Sequence, residues 1–332
     1  MNTLSRLALV TALCATAFAA DPPRRVKLAT LLPQGSSAHR TLQAMGEKWR
    51  QAPGASVALT VYTDGTQGGE AEVVRRMRVD QLQAGLMSVA GLAEIDRSVT
   101  AMQYMPMMFR SLDEVDYVRE KLRPMLDKRL EDKGFVALFW GDAGWVHIFT
   151  TKPAASPDEM KKLKMFCLAS DISQIDLMKA AGFQQVVPLE YTDTLSGLET
   201  GMIEGVPTIP FYALAGQFYM RASHMLEMNY VPLVGALVVT RKSWDSLPAS
   251  TQAAMRQASE EAGAKIRAQS RKEMDESVEA MKKRGLSVHA MTPALEAQWR
   301  ALFEGVYPQI RGKLVPADVF DEVQRLLKEY RK

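Results

Sequence analysis

The residues of this 332-residue chain that could do acid–base, nucleophilic or metal chemistry are scattered, not gathered into motifs. It has no Gly-x-Ser-x-Gly elbow, no His-Glu-x-x-His, no phosphate loop and no paired cysteine ligands. The four histidines, His39, His147, His224 and His289, lie far apart without metal-ligand spacing, so neither a metal nor a cofactor is expected. Cys167 would be a nucleophile only beside a base, and a buried free cysteine ordinarily behaves as a small hydrophobe. Glu190, Asp193, Glu199 and Glu204 crowd one region, but helix caps and solvated faces account for carboxylates at that spacing. General acid–base work needs two carboxyls aimed at one bond. The chemistry expected is recognition, with no catalytic residue.

The residues suited to recognition are aromatic and soft. Trp140 and Trp145 flank Gly141-Asp142-Ala143-Gly144, which reads as a loop at the end of a strand. Phe166, Phe211, Tyr212, Phe218 and Tyr219 fall near comparable edges, and Phe109 follows Met105, Met107 and Met108, residues that can repack around irregular ligands. Each also has a plainer reading. Phe166 lies in a strand pattern whose buried face periodicity cannot assign, Trp140 suits core packing equally, and the aromatics from Phe211 to Tyr219 sit at helical spacing. For a polar ligand end, backbone N–H groups at helix starts near Ser36 and Ser170 offer an anion-favouring dipole.

These residues need a scaffold, and the chain alternates strand and helix. Val26–Leu31 alternates and runs through Pro33-Gln34-Gly35-Ser36-Ser37 into a helix carrying Leu42, Met45 and Trp49. Val57–Tyr62 and Leu86–Ala90 read as strands around a helix from Glu70 to Val79, and a charged helix from Leu112 to Lys133 precedes the apolar strand Phe135–Trp140. A second series has strands near Leu163–Leu168 and Gln185–Val187, with helices from Asp171 to Ala181 and from Tyr191 to Thr200. Gly235–Thr240 reads as a buried strand returning to the first series. The expected class is α/β, two lobes of mostly parallel sheet flanked by helices, with a ligand cleft beyond the carboxyl ends of the strands.

From Pro248 to about Arg284 the pattern is helical with only Gly263 as a weak point, so one helix of about 50 Å should span both lobes; two helices broken at Gly263 is the alternative. Helices from Pro293 to Arg311 and Pro316 to Tyr330 close the chain. The division expected is 20–140 with 235–250 as lobe I, 141–234 with 285–315 as lobe II, 248–284 as the spanning helix and 316–332 as a terminal helix.

Residues 1–19 read as an export signal: Arg6 is the positive start, Leu7–Cys14 the apolar stretch, and Ala17-Phe18-Ala19 the cleavage site. Loss of Cys14 with that segment leaves Cys167 alone, so no internal disulfide is expected in the periplasm. A net charge of +3 with both signs interspersed gives no argument for nucleic acid, and no later stretch is apolar enough to span a bilayer. The basic groups Arg75-Arg76-Arg78 and Lys282-Lys283-Arg284 read as solvated helix ends or as a docking patch for a membrane partner.

Two segments carry a family resemblance. Lys161-Lys162-Leu163-Lys164-Met165-Phe166-Cys167, with Gly197-Leu198-Glu199-Thr200-Gly201-Met202-Ile203-Glu204-Gly205, resembles the solute-binding proteins of tripartite ATP-independent periplasmic (TRAP) transporters. Lys27-Leu28-Ala29-Thr30 and Pro106-Met107-Met108-Phe109 match locally as well, and the spanning helix is the family's brace. The resemblance implies a two-lobe periplasmic receptor that closes on a small organic ligand and presents it, as a monomer, to the membrane subunits of a TRAP permease, without catalysis. It also implies an arginine clamping a carboxylate where this chain has Phe166, and polar residues where it has Val206-Pro207-Thr208. A buried carboxylate without its bidentate arginine loses several kcal/mol of compensation. The expected ligand is therefore apolar or amphipathic, a monocarboxylate included, bound by Phe166, Trp145, Trp140, Ser36, Ser170, Phe109, Thr208 and Tyr212. Two alternatives stand beside it: a lipid or hydrophobic-ligand carrier or sensor subunit without a TRAP permease, and C4-dicarboxylate binding through a relocated cation.

Overall fold

The computed structural model describes residues 23–332, so the export signal read at 1–19 lies outside the described residues. Among the described residues nine strands form one sheet: β1 (Arg24–Thr30), β2 (Val57–Tyr62), β3 (Ala84–Ser88), β4 (Phe135–Thr150), β5 (Lys164–Leu168), β6 (Gln185–Leu189), β7 (Gly205–Thr208), β8 (His224–Thr240) and β9 (Ser287–Ala290). Their order is β2-β1-β3-β8-β4-β7-β5-β6, with β9 on the free side of β8. The α/β class holds, but the sheet is single and mixed. Parallel wings (β2-β1-β3 and β7-β5-β6) are joined by the antiparallel pair β4–β8.

That pair exists because β4 and β8 are far longer than an ordinary strand, at 16 and 17 residues. In the first wing β8 runs against β3, from Ala84↔Val239 to Ser88↔Gly235, and against the start of β4, from Phe135↔Thr240. Beyond Gly141↔Gly235 the same two strands continue into the second wing, where β4 takes up β7 and β8 takes up β9. Sheet hydrogen bonds thus cross between the wings without a break in the chain.

Residues 141–144, expected as a loop, lie inside β4. The pairing with β8 slips between Asp142 and Trp145, and Gly144 takes a φ of +86°, which glycine adopts without steric cost. The bulge hides the strand from its sequence pattern, since two-residue alternation fails where a residue is added. Gly235 is needed for a different reason: a Cβ there would lie 2.5 Å from the Met87 carbonyl oxygen.

The helix Ala249–Lys282 is continuous over 34 residues, about 50 Å, which removes the reading of two helices. Gly263 does not break it but lets it approach β4, since a Cβ at that position would sit 2.5 Å from the Phe139 ring. The helix packs on Ser37–Arg50 beside the first wing, on β4, and on Pro210–Ala215 beside the second. Leu42, Met45 and Trp49 are buried beneath it with its own Met255, while Trp299 and Phe303 of the helix Pro293–Ile310 join the large core that also holds Met165, Leu177 and Phe183. The helix expected from Tyr191 to Thr200 is a short 3-10 turn, Tyr191–Asp193, followed by a helix at Thr194–Glu199. Among the described residues no helix is long and apolar enough to cross a membrane.

Candidate functional site

A cavity of about 200 Å³ lies where the wings meet. Its floor is the crossing itself, Gly141–Ala143 and Val146 of β4 with Val231 and Leu233–Gly235 of β8. Its walls are strand carboxyl ends: Thr30 to Leu32 after β1 and Leu86 to Ser88 of β3 from one wing, Phe166 and Leu168 of β5 and Val206 to Ile209 at β7 from the other. Ile266 and Ser270 of the long helix complete it. Parallel strands leave such a crevice at their carboxyl ends because the chain there turns away into helices.

Three of the eight residues expected from sequence line this cavity: Phe166, Thr208 and Tyr212. Phe166 serves the core as well, buried at 6% exposure among Phe149, Leu198, Val206 and Phe218. The other five lie elsewhere. Trp140 is buried with its indole N–H donating to Asp127 at 2.7 Å, and Trp145 is buried in the core beside Val146 and Ile148, because strand alternation sets Trp140 on the face opposite Phe139 and Gly141 and Trp145 on the face opposite Val146, residues that line the crevice. Ser36 caps its helix by accepting from His39 N–H at 3.1 Å. Ser170 precedes the helix Ile172–Ala180, which is capped by Asp171 instead, so an anion at that terminus would meet a carboxyl. Phe109 borders a separate recess with Arg110, Glu227 and Arg300, and Met105 and Met107 are buried in the core.

The polar wall was not anticipated. Glu70, first residue of the helix Glu70–Arg78, is buried and accepts from Ser88 N–H at 2.8 Å, Ser88 Oγ at 2.6 Å and Gly91 N–H at 3.0 Å. Gly91 is required for this seat, since a Cβ would fall 2.6 Å from that of Glu70. Across the crevice Asp171 accepts from Gln174 N–H at 2.9 Å and from the Tyr104 hydroxyl. Burial raises the carboxyl of Glu70 and pushes that of Asp171 up to about 6, with the charge of Glu70 adding to the latter. Thr194 also lines the cavity; it is fully buried, and its hydroxyl finds no hydrogen-bond partner among the described residues. No lysine, arginine or histidine is among the lining residues. The usable sequence signal was an acid heading a helix just after a strand, as at Glu70 and Asp171.

Asp142 lines the floor, and its charge is met from outside the cavity. Arg271 of the long helix binds it at 2.6 and 3.0 Å, Arg119 of the helix Leu112–Asp132 at 3.3 Å, and both guanidinium groups also reach Asp116. Cys167 offers no nucleophile, since burial pushes its thiol up and its Sγ lies 3.3 Å from Gln174 Oε1. Burial lowers the His147 imidazole to about 4. His224 and His289, distant in sequence, meet across β8 and β9 with ring nitrogens 3.0 Å apart, yet no group of three or more metal-ligating side chains forms among the described residues. In the basic runs, Arg75 and Arg76 pair with Glu72, and Lys282 with Glu279.

Residues 28–313 match the family model for bacterial extracellular solute-binding protein, family 7. The chain is 21% identical to the C4-dicarboxylate-binding periplasmic protein DctP of Rhodobacter capsulatus, over 85% of this chain and 84% of that one. Its fold resembles the TRAP periplasmic solute-binding protein of Pseudomonas putida F1 with bound D-glucuronate (TM-score 0.81, 23% identity, 91% of this chain and 96% of that one). It likewise resembles that of Shewanella oneidensis with bound succinate (TM-score 0.84, 19% identity, 92% and 100%).

Proposed function

This chain belongs to the bacterial extracellular solute-binding proteins of family 7, and on that premise we propose that it captures an apolar or amphipathic organic molecule between the wings of its sheet and delivers it to a TRAP permease. It is a periplasmic TRAP-type binding receptor and not an enzyme. Relatives of this fold hold the acids succinate and D-glucuronate, and such anions need a guanidinium or an equivalent donor set. Here the single observation that carries the proposal is a crevice walled by Phe166, Val206 and Tyr212 with no cationic side chain among its lining residues. The absence of a relocated cation there also weighs against C4-dicarboxylate binding.

Capture would work by closure. The lobes are taken as 20–140 with 235–250 and 141–234 with 285–315, turning about the β4–β8 crossing, with 248–284 as brace and 316–332 as a terminal helix. Closing would bury apolar ligand surface at roughly 25 cal/mol per Å² and bring one surface of each lobe together, so that a permease can tell loaded protein from empty. The receptor is taken to act as a monomer.

The test is mass spectrometry of small molecules released on denaturing the protein as purified from its periplasm, followed by calorimetry. The expected result is a ligand dominated by hydrocarbon, with succinate, malate and D-glucuronate giving no heat. Succinate or malate bound as tightly as any apolar compound would overturn the reading.

A further inference from the structure

Resting on that reading, a more specific statement about the ligand's polar end follows from the wall of the same cavity. Two buried carboxyls face it from opposite wings, Glu70 and Asp171, and neither has a counter-ion among its hydrogen-bond partners, which are N–H and O–H groups. Burying a carboxylate without a cation is costly, and a carboxylate ligand would add a further negative charge to the same low-dielectric space. A cationic head would instead offset the cost already present, and the raised carboxyls are those that would gain most from it.

The independent sign that a guest completes this wall is Thr194, whose buried hydroxyl is left without a partner although buried polar groups are normally paired. A protonated primary amine has three N–H donors and no acceptor, which matches two carboxyls and a hydroxyl oxygen; a quaternary ammonium has no donor and would leave Thr194 unpaired. We infer that the ligand is an amphipathic amine, its ammonium group held by Glu70, Asp171 and the Thr194 hydroxyl and its apolar body lying against Phe166, Val206 and Tyr212.

The test is calorimetry on the mature chain, stripped of endogenous ligand, with three probes of one skeleton: 3-phenylpropylamine, 3-phenylpropan-1-ol and 3-phenylpropionate. The amine should bind about tenfold or more tighter than the alcohol, as expected for a hydrogen bond made by a charged group, and the acid should not bind. In Asp171→Asn the amine-to-alcohol affinity ratio should collapse to within about threefold. In Thr194→Val amine affinity should fall, while the empty protein melts at the same or a higher temperature because an unpaired buried hydroxyl has been removed. Alcohol or acid binding as well as the amine, or an unchanged ratio in both variants, would overturn this inference and leave the apolar cleft standing. Binding of none of the three, with binding of succinate, would overturn both.

Discussion

At the scale of single residues the site turns on an aromatic ring and two acids. Phe166→Arg puts a guanidinium into a crevice already lined by Glu70 and Asp171, which would claim it before a ligand could. The expected outcome is therefore loss of apolar-ligand binding without gain of succinate; the double variant Phe166→Arg/Asp171→Asn should show a measurable heat with succinate. Asp171 also sets a pH dependence. The groups facing its carboxyl are the Tyr104 hydroxyl, Gln174 N–H and, from the other wing, Glu70, while the Cys167 thiol meets its backbone carbonyl. Its carboxyl is raised from 3.8 to about 6 in the folded protein, so the folded state holds the proton more tightly than the unfolded chain does. That stability is fully present below the unfolded value and is lost as pH rises through about 6. Asp171→Asn keeps a capping side chain and an acceptor for Tyr104 while removing this titration. Melting curves of the empty protein from pH 4 to pH 8 should fall less steeply for Asp171→Asn than for wild type; parallel curves would contradict the assignment.

At the scale of elements, what could be read from sequence depended on whether a pattern is local. The strand–helix alternation and the helix beginning near Pro248 rest on contiguous residues, and the structure has strands and a helix at those places; Phe166, singled out by the family resemblance, lies on the cavity wall. The extension of β4 through residues 141–144 was illegible because its bulge interrupts alternation, and with it went the placement of Trp140 and Trp145. Glu70, Asp171 and Thr194 stand on three separate helices and converge only in space, so no spacing links them. Gly263 shows how propensity misleads. Alanine there should gain up to about 1 kcal/mol as a helix former, but its Cβ would lie 2.5 Å from the ring and 2.8 Å from the Cβ of Phe139. Gly263→Ala is expected to lower the melting temperature, and because Phe139 also lines the cavity, to weaken ligand binding as well. A rise in melting temperature would mean that the helix moves aside freely.

At the scale of the whole molecule, the crossing between the wings is held by charge as well as by sheet. Arg271 joins the long helix to Asp142 in the β4 bulge and to Asp116 on a third element, and the Asp142 side chain is fully buried. Arg271→Met preserves length and apolar stem but leaves Asp142 to Arg119 alone. Breaking a buried pair from one side costs about 3 to 5 kcal/mol, so the unfolding free energy from urea titration should fall by that order, and a change under about 1 kcal/mol would show the network to be dispensable. The order of the strands also bears on how the protein is made. β3 pairs on one side with β1, but its other neighbour is β8, with Ala84 opposite Val239, so the first wing is closed off only by a partner about 155 residues downstream. Pairings of such long range are slow to form. The sheet as a whole can therefore be completed only once most of the chain has been synthesised, a delay well suited to a polypeptide that must cross a membrane before it takes up its work.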